Sequence, residues 1–411
     1  MSVSPPPVPI YGTRLLGPCV LVVIVLLVIS LAIQVPTLGA GGIVLDFDAF
    51  YIAGQMGWEG DMAAAYDKAT MLCRQSALAG KSIWMPWSYP PQFDLITMAL
   101  SSVARGLSYL LFMTATFVPF VLVLRRIAGP YLPDVLFLGL PAFLITTAVG
   151  QNGFLSGLLM GLFALAWQKN RSSAGTFLGC MVIKPHLALG AGLLALLAGR
   201  WRVVGLSLAV AAGTSALATL VFGPQIWTAF LEGTKTASLE MKDGYYPMYR
   251  MTSAYAFLAT LGLPPNLALA GQIGVALASF AVIFAVSRLD WPAHGVLGLT
   301  LIASMGIGPY NYDYDTPIMV VGLALLLPDL APRLGLWGRR GLFLFTWLAS
   351  GWGQVTAFTV SKDDTLKGVD LALSLGVVGV VGLALLVWRT LCHEPAPAGA
   401  AAACPPEPPV L

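Results

Sequence analysis

The chain has 411 residues, 57% of them hydrophobic and 10% charged, with a formal net charge of +3. Its mean hydropathy of +0.81 belongs to a bilayer protein and argues for one polytopic domain over several soluble ones. With so little net charge and no basic run, a nucleic-acid partner is excluded.

In chain order, the Pro-rich residues 1–14 and the tail 391–411 read as disordered cytoplasmic ends. Residues 15–390 between them read as one membrane domain. Its first apolar stretch, Leu15 to Val35 after Arg14, is too long for a signal core and lacks a small-residue cleavage pattern, so a membrane span is expected. Residues 36–90 form the first extracytoplasmic loop. Trp58, Trp84 and Trp87 place it at the headgroup level. Segment 92–104 is apolar but too short to cross, and reads as an interfacial or re-entrant helix.

Further spans are predicted near 107–124, 131–149, 153–168, 203–222, 266–287, 293–309, 316–331, 341–360 and 369–388. Segment 173–199 is interrupted by Lys184-Pro185-His186 and reads as a broken pair of helices. If that pair goes out and returns, Arg14, Arg125-Arg126, Lys169/Arg171, Arg200/Arg202, Arg288, Arg333/Arg339/Arg340 and Arg389 share one side. By the positive-inside rule that side is cytoplasmic, with about twelve crossings. The other face then receives loop 36–90, a second large extracytoplasmic loop at 223–264, the turn at 361–368 and nearly every unusual polar residue. That arrangement predicts an outward-facing site.

Six polar motifs carry candidate chemistry. Asp46 and Asp48 stand two residues apart, so a helix would aim them differently and a strand would align them. One can serve as a general base; both can cap a helix at 49–57. Trp87-Ser88-Tyr89-Pro90-Pro91 gives a lipid or sugar path, or an interfacial belt with a rigid turn. Gly150-Gln151-Asn152-Gly153 is a tight turn whose amides can also bind sugar hydroxyls. Lys184 needs a counter-charge, either a substrate phosphate or one of Asp46, Asp48 and Asp313, and His186 adds a donor. Pro309-Tyr310-Asn311-Tyr312-Asp313-Tyr314-Asp315 offers acceptor-binding groups, or an aromatic belt ahead of a helix started by Pro317. In the 223–264 loop, Arg250 lies among Tyr245, Tyr246 and Tyr249 and can meet a lipid phosphate.

Asp313 and Asp315 could hold a divalent cation but lack further clear ligands, and the five cysteines (Cys19, Cys73, Cys180, Cys392, Cys404) and three histidines (His186, His294, His393) show no metal-ligand spacing. No metal, disulfide framework or cofactor is expected.

The order of these motifs resembles a known family. Asp46-Phe47-x-x-Phe50-x-x-Ala53-Gly54, Gly60-Asp61, Tyr66-Asp67 and Tyr89-Pro90-Pro91 look like the first loop of glycosyltransferase family 87. Gly150-Gln151-Asn152-Gly153-Phe154-Leu155, Gly179, Lys184-Pro185-His186 and Pro309-Tyr310-x-Tyr312-Asp313-Tyr314-Asp315 resemble its later motifs. The resemblance covers roughly residues 40–330.

It implies an all-α polytopic membrane protein of the GT-C glycosyltransferase fold, set in the inner (plasma) membrane with its site outside the cytoplasm. It further implies hexosyl transfer, of mannose by family weight, from a polyprenyl-phosphate donor to a lipid or glycan acceptor. Asp46 takes the part of the base. Lys184, His186 and Arg250 are expected at the donor phosphate. Asp48, Tyr89, Gln151, Asn152, Tyr310, Tyr312, Asp313 and Asp315 are expected around the substrates. The competing expectation is a secondary transporter or flippase, which would also place charges within many spans.

Overall fold

The computed structural model describes residues 10–11, 15–37, 46–80, 82, 84–359 and 372–393. Expectations for the rest of the N-terminal segment, for the turn at 361–368 and for the tail from 394 lie outside these residues. Among the described residues the fold is all helical, with a single isolated antiparallel bridge between Met251 and Tyr312.

The first half comprises α1 (Leu16–Thr37), α2 (Asp46–Trp58), α3 (Lys68–Ala79), α4 (Pro91–Ser101), α5 (Arg105–Ala128), α6 (Leu132–Leu138), α7 (Leu140–Val149), α8 (Gly153–Gln168) and α9 (Ala174–Cys180). The second comprises α10 (Pro185–Leu197), α11 (Trp201–Phe222), α12 (Gln225–Lys242), α13 (Ala254–Thr260), α14 (Pro265–Ser287), α15 (Ala293–Ser304), α16 (Pro317–Leu330), α17 (Leu336–Thr359) and α18 (Gly376–His393). Among the described residues four stretches are long and apolar enough to cross a membrane: Leu16–Ile33, Arg105–Leu138, Trp201–Phe222 and Pro265–Ser287. Seven further apolar helices are shorter.

Proline starts many of the short helices: Pro91, Pro133, Pro141, Pro185, Pro265 and Pro317 all lie in first turns. There its fixed φ suits a helix, and its missing N–H is no loss. The same chemistry splits the span expected at 131–149 into α6 and α7, the second opening on Leu140-Pro141.

Segment 173–199 is broken as the sequence implies, and the two pieces fold back on each other. α9 leaves from the end of α8, a 3-10 turn at Met181–Ile183 follows, and α10 returns. The return is marked by Arg200, whose Nη1 donates to the Trp167 carbonyl at 2.8 Å while its guanidinium lies 3.7 Å from the Trp167 ring centre. Lys184 is thereby held at the far end from Arg200.

Two ends of the bundle can be told apart. One holds Arg200, the α5–α6 turn and the Arg333–Arg340 region. Residues Ile10 and Tyr11, expected as part of a disordered segment, are docked there. Their backbone N–H groups donate to the Asp134 carboxylate at 3.0 and 2.9 Å, and the Tyr11 ring packs 5.7 Å from Phe137. The opposite end gathers the start of α2, the α7–α8 turn, the α9–α10 break and the Tyr310–Asp315 run.

That opposite end is tightly joined by glycine. Gly150 closes α7 with φ +69°, a conformation that side chains rarely adopt, and a Cβ there would sit 2.5 Å from Phe47 Cβ. At Gly153 an added Cβ would meet the Tyr314 carbonyl at 1.9 Å, so α8 starts directly against the tyrosine run.

Region 223–264, expected as a loop, instead contains α12 and α13. Ile226, Gly233, Ala237, Glu240 and Met241 form the buried stripe of α12, while Leu231 and Leu239 are exposed. An amphipathic helix of this kind gives a weak average hydropathy, which is why it reads as a loop.

Candidate functional site

A cavity of about 560 Å³ opens at the end where these elements meet. One wall is an aromatic cluster from the first loop. Phe50 packs 5.0 Å from Phe93 and 5.3 Å from Tyr89, and Tyr89 lies 4.6 Å from Phe93. Behind it the fully buried Asp94 accepts from Tyr66 Oη at 2.8 Å and Trp87 Nε1 at 3.0 Å. Burial pushes the Asp94 carboxyl well above the usual carboxylate range, against the pull of these two donors.

α2 resolves the alternative between Asp46 and Asp48. Both lie in its first turn, where carboxylates favour the positive end of the helix. The helix aims them apart. Asp46 lines the cavity, and its Oδ2 accepts from Gln151 Nε2 at 3.0 Å. Gln151 is itself oriented by Tyr89, whose hydroxyl donates to Gln151 Oε1 at 2.8 Å. Asp48 is buried away from the cavity and pairs with Arg105 at 3.6 Å, so the expectation that it contacts substrate is corrected.

The Lys-Pro-His break and the tyrosine run face each other. Lys184 Nζ lies 2.5 Å from Asp315 Oδ1, with both side chains almost fully buried, and 5.0 Å from the Tyr314 ring centre. Its counter-charge is thus Asp315, which corrects the expectation that Asp46, Asp48 or Asp313 would supply it. Asp315 Oδ2 also accepts the Tyr312 backbone N–H at 3.1 Å, fixing the 3-10 turn at Asp313–Asp315. His186 lines the cavity, and its buried Nε2 makes no hydrogen bond among the described residues.

Arg250 forms a two-pronged pair with Asp313, Nε to Oδ2 at 3.2 Å and Nη2 to Oδ1 at 3.0 Å. The guanidinium stands 5.6 and 5.7 Å from the Tyr314 and Tyr312 ring centres. Those two rings stack at 5.0 Å.

The cavity therefore brings together Asp46, Tyr89, Gln151, Lys184, His186, Arg250, Tyr310, Tyr312 and Asp315. Asp48, Asn152 and Asp313 do not line it. Asn152 is buried with neither side-chain polar atom hydrogen-bonded among the described residues, and Asp313 pairs with Arg250. Among the described residues no group of three or more His, Cys, Asp or Glu is placed to hold a metal.

The sequence reading also missed residues at the outer part of the cavity. Glu240 on α12 lines it, accepts from Trp84 Nε1 at 2.8 and 2.9 Å, and pairs with Lys68 at 2.6 Å. The available signal was the helical spacing of Gly233, Ala237 and Glu240.

Fold and cavity together define a helical membrane protein with a charged, aromatic-walled site at one end of its bundle. Residues 87–306, more than half of the chain, match glycosyltransferase family 87, and the chain belongs to that family. It is a membrane glycosyltransferase, acting on a sugar donor and an acceptor. The matched region includes Tyr89, Gln151, Asn152, Lys184, His186 and Arg250; Asp46 precedes it and the Tyr310–Asp315 run follows it. No curated protein and no solved structure matches the chain.

Proposed function

We propose that this glycosyltransferase moves a hexose, mannose by family weight, from a polyprenyl-phosphate donor to an acceptor hydroxyl, with Asp46 as general base and a GT-C topology of about twelve crossings. One observation carries the reading. Three carboxylates line the cavity, and two are matched by lysines: Glu240 by Lys68 and Asp315 by Lys184. Asp46 has no cation in contact among the described residues, only the Gln151 amide. A carboxylate whose oxygens are not engaged in an ion pair is the one free to take a proton.

In the step itself, the acceptor oxygen attacks the anomeric carbon as its proton passes to Asp46. The bond from that carbon to the phosphate oxygen breaks, and the electron pair leaves with polyprenyl phosphate. Attack opposite the leaving group inverts the centre, so a β-linked donor gives an α product. Lys184, His186 and Arg250 surround the place where phosphate charge develops, the arrangement that favours departure of an anion. Tyr89 and Gln151 hold the Asp46 carboxylate in position.

Orientation follows from charge. Arg125 and Arg126 in the last turn of α5 and the basic segments 169–171, 200–202 and 333–340 lie at the end away from the cavity, which supports a site facing outside the cytoplasm of the inner (plasma) membrane. A lipid-phosphate donor suits that side, where nucleotide sugars are absent.

The test is transfer of radiolabelled sugar from polyprenyl-phosphate mannose into membrane lipids. Asp46→Asn should lower the rate by about 10²–10⁴-fold, the span typical for loss of a general base. A variant within tenfold of wild type would remove Asp46 from the mechanism.

A further inference from the structure

The reaction end occupies only part of the cavity. Its outer part is built from two separate segments, Trp84 before α4 and Thr234, Ser238 and Glu240 on α12, with Lys68 on α3 paired to Glu240 from outside the lining. At this end Tyr245 keeps 47% of its surface exposed and Ser238 is exposed, whereas Tyr312 and Asp315 are buried. The Glu240 end is therefore the mouth and the Asp315 end the floor.

We infer that this mouth is the acceptor subsite and that the acceptor presents a sugar ring there, its hydroxyls on the Glu240 carboxylate and its apolar face on Trp84. The inference rests on the transferase reading above and deepens it by placing the acceptor's sugar on Glu240 and Trp84.

The wall chemistry supports a sugar over an acyl or isoprenoid chain. A hydrocarbon chain gains nothing from a buried carboxylate, and desolvating that carboxylate beside it would be costly. A sugar ring needs both kinds of surface at once. Trp84 is held by its Nε1–H on Glu240, and Lys68 lies 5.6 Å from the Trp84 ring centre and 5.4 Å from that of Tyr245. Glu240 is thereby fixed before any ligand arrives. Preorganised acceptors of this kind discriminate strongly against ligands that lack the matching hydroxyl. The donor phosphate belongs at the other end, with Lys184, His186 and Arg250, which leaves the mouth for the second substrate.

The test is binding of octyl α-mannopyranoside, octyl β-glucopyranoside and octanol to the full-length protein in lipid nanodiscs, read by tryptophan fluorescence and by calorimetry without donor. At least one glycoside should bind saturably and octanol should not. Glu240→Gln should weaken that binding about tenfold, as loss of one charge-assisted hydrogen bond implies. Trp84→Phe, which keeps an aromatic ring, should weaken it in the same direction. Each variant's thermal unfolding is measured alongside, and only variants with wild-type melting are compared. Octanol binding as well as either glycoside, no saturable glycoside binding, or unchanged affinity in both folded variants would each overturn the inference. Asp46→Asn separates the two readings. Retained glycoside binding with lost transfer supports both, whereas retained transfer in Asp46→Asn removes the base assignment and leaves the binding result to judge the subsite alone.

Discussion

Replacing Lys184 by Met would expose how much of the site depends on one buried ion pair. Lys184 and Asp315 meet at 2.5 Å, with side-chain exposures of 6% and 3%. Their gross attraction at an effective dielectric of ~20 is about 7 kcal/mol. Desolvation of two buried ions costs several kcal/mol each, so the net worth of the pair is small. Removing one partner is another matter, because the remaining charge keeps its desolvation cost and loses its compensation. Lys184→Met should therefore destabilise by about 3–5 kcal/mol. The double variant Lys184→Met/Asp315→Asn, which buries no lone charge, should recover most of that loss. The assay is reversible unfolding of the detergent-solubilised protein in a double-mutant cycle, with donor affinity measured on the same samples. Stability should return in the double variant while affinity for polyprenyl-phosphate mannose stays weakened. Lys184→Met within ~0.5 kcal/mol of wild type would refute the buried-pair argument. Wild-type donor affinity in the double variant would remove Lys184 from the phosphate site.

Three further outcomes are expected. Asp94 has its carboxyl raised by burial, so its contribution to stability is complete below the ordinary carboxylate value of ~3.9 and is lost as pH rises through the raised folded value. Asp94→Asn should remove that fall, and parallel melting-temperature curves against pH for the two proteins would contradict it. Gly153→Ala drives a Cβ toward the Tyr314 carbonyl, backbone that cannot swing aside; it should cost about 1–3 kcal/mol or more and reduce transfer, and a melting temperature equal to wild type would oppose this. In a cysteine-free background, Asp243→Cys should react with an impermeant maleimide on intact cells and Arg202→Cys only after lysis; the reverse pattern would invert the proposed topology.

Much of the site was legible because charge is scarce in this chain. Lys184 called for a counter-charge, but the sequence offered Asp46, Asp48, Asp313 or a phosphate and passed over Asp315. The choice of Asp315 depends on α9 and α10 folding back so that the break meets the tyrosine run, a long-range contact that no local pattern encodes. Asp46 and Asp48 were separable only once the segment proved helical from Asp46 onward, since period 3.6 and period 2 give opposite answers. α12 escaped for a different reason. Its apolar stripe is one face wide, so averaging along the chain erased it, and with it went Glu240.

The pairing pattern also bears on how the proposed donor would be held. Lys184 and Arg250 are each matched by an aspartate, so a phosphate would enter a site whose two cations are already compensated. It can gain from them only by sharing them with Asp315 and Asp313. Arg250 is suited to sharing, because a guanidinium carries five N–H donors and Asp313 uses two of its nitrogens. The aspartates then act as built-in stand-ins for the substrate's charge. They keep the cations in place and soluble in the protein interior when no donor is bound, and they lower the affinity for any anion that cannot also satisfy another group. His186 is that other group. Its Nε2 is buried at the cavity wall without a hydrogen-bond partner among the described residues, so a ligand oxygen placed there would end an unmet polar demand rather than compete for a met one. On the proposed reading, Lys184 and Arg250 set where charge is tolerated, and His186 favours a ligand whose acceptor atom reaches it.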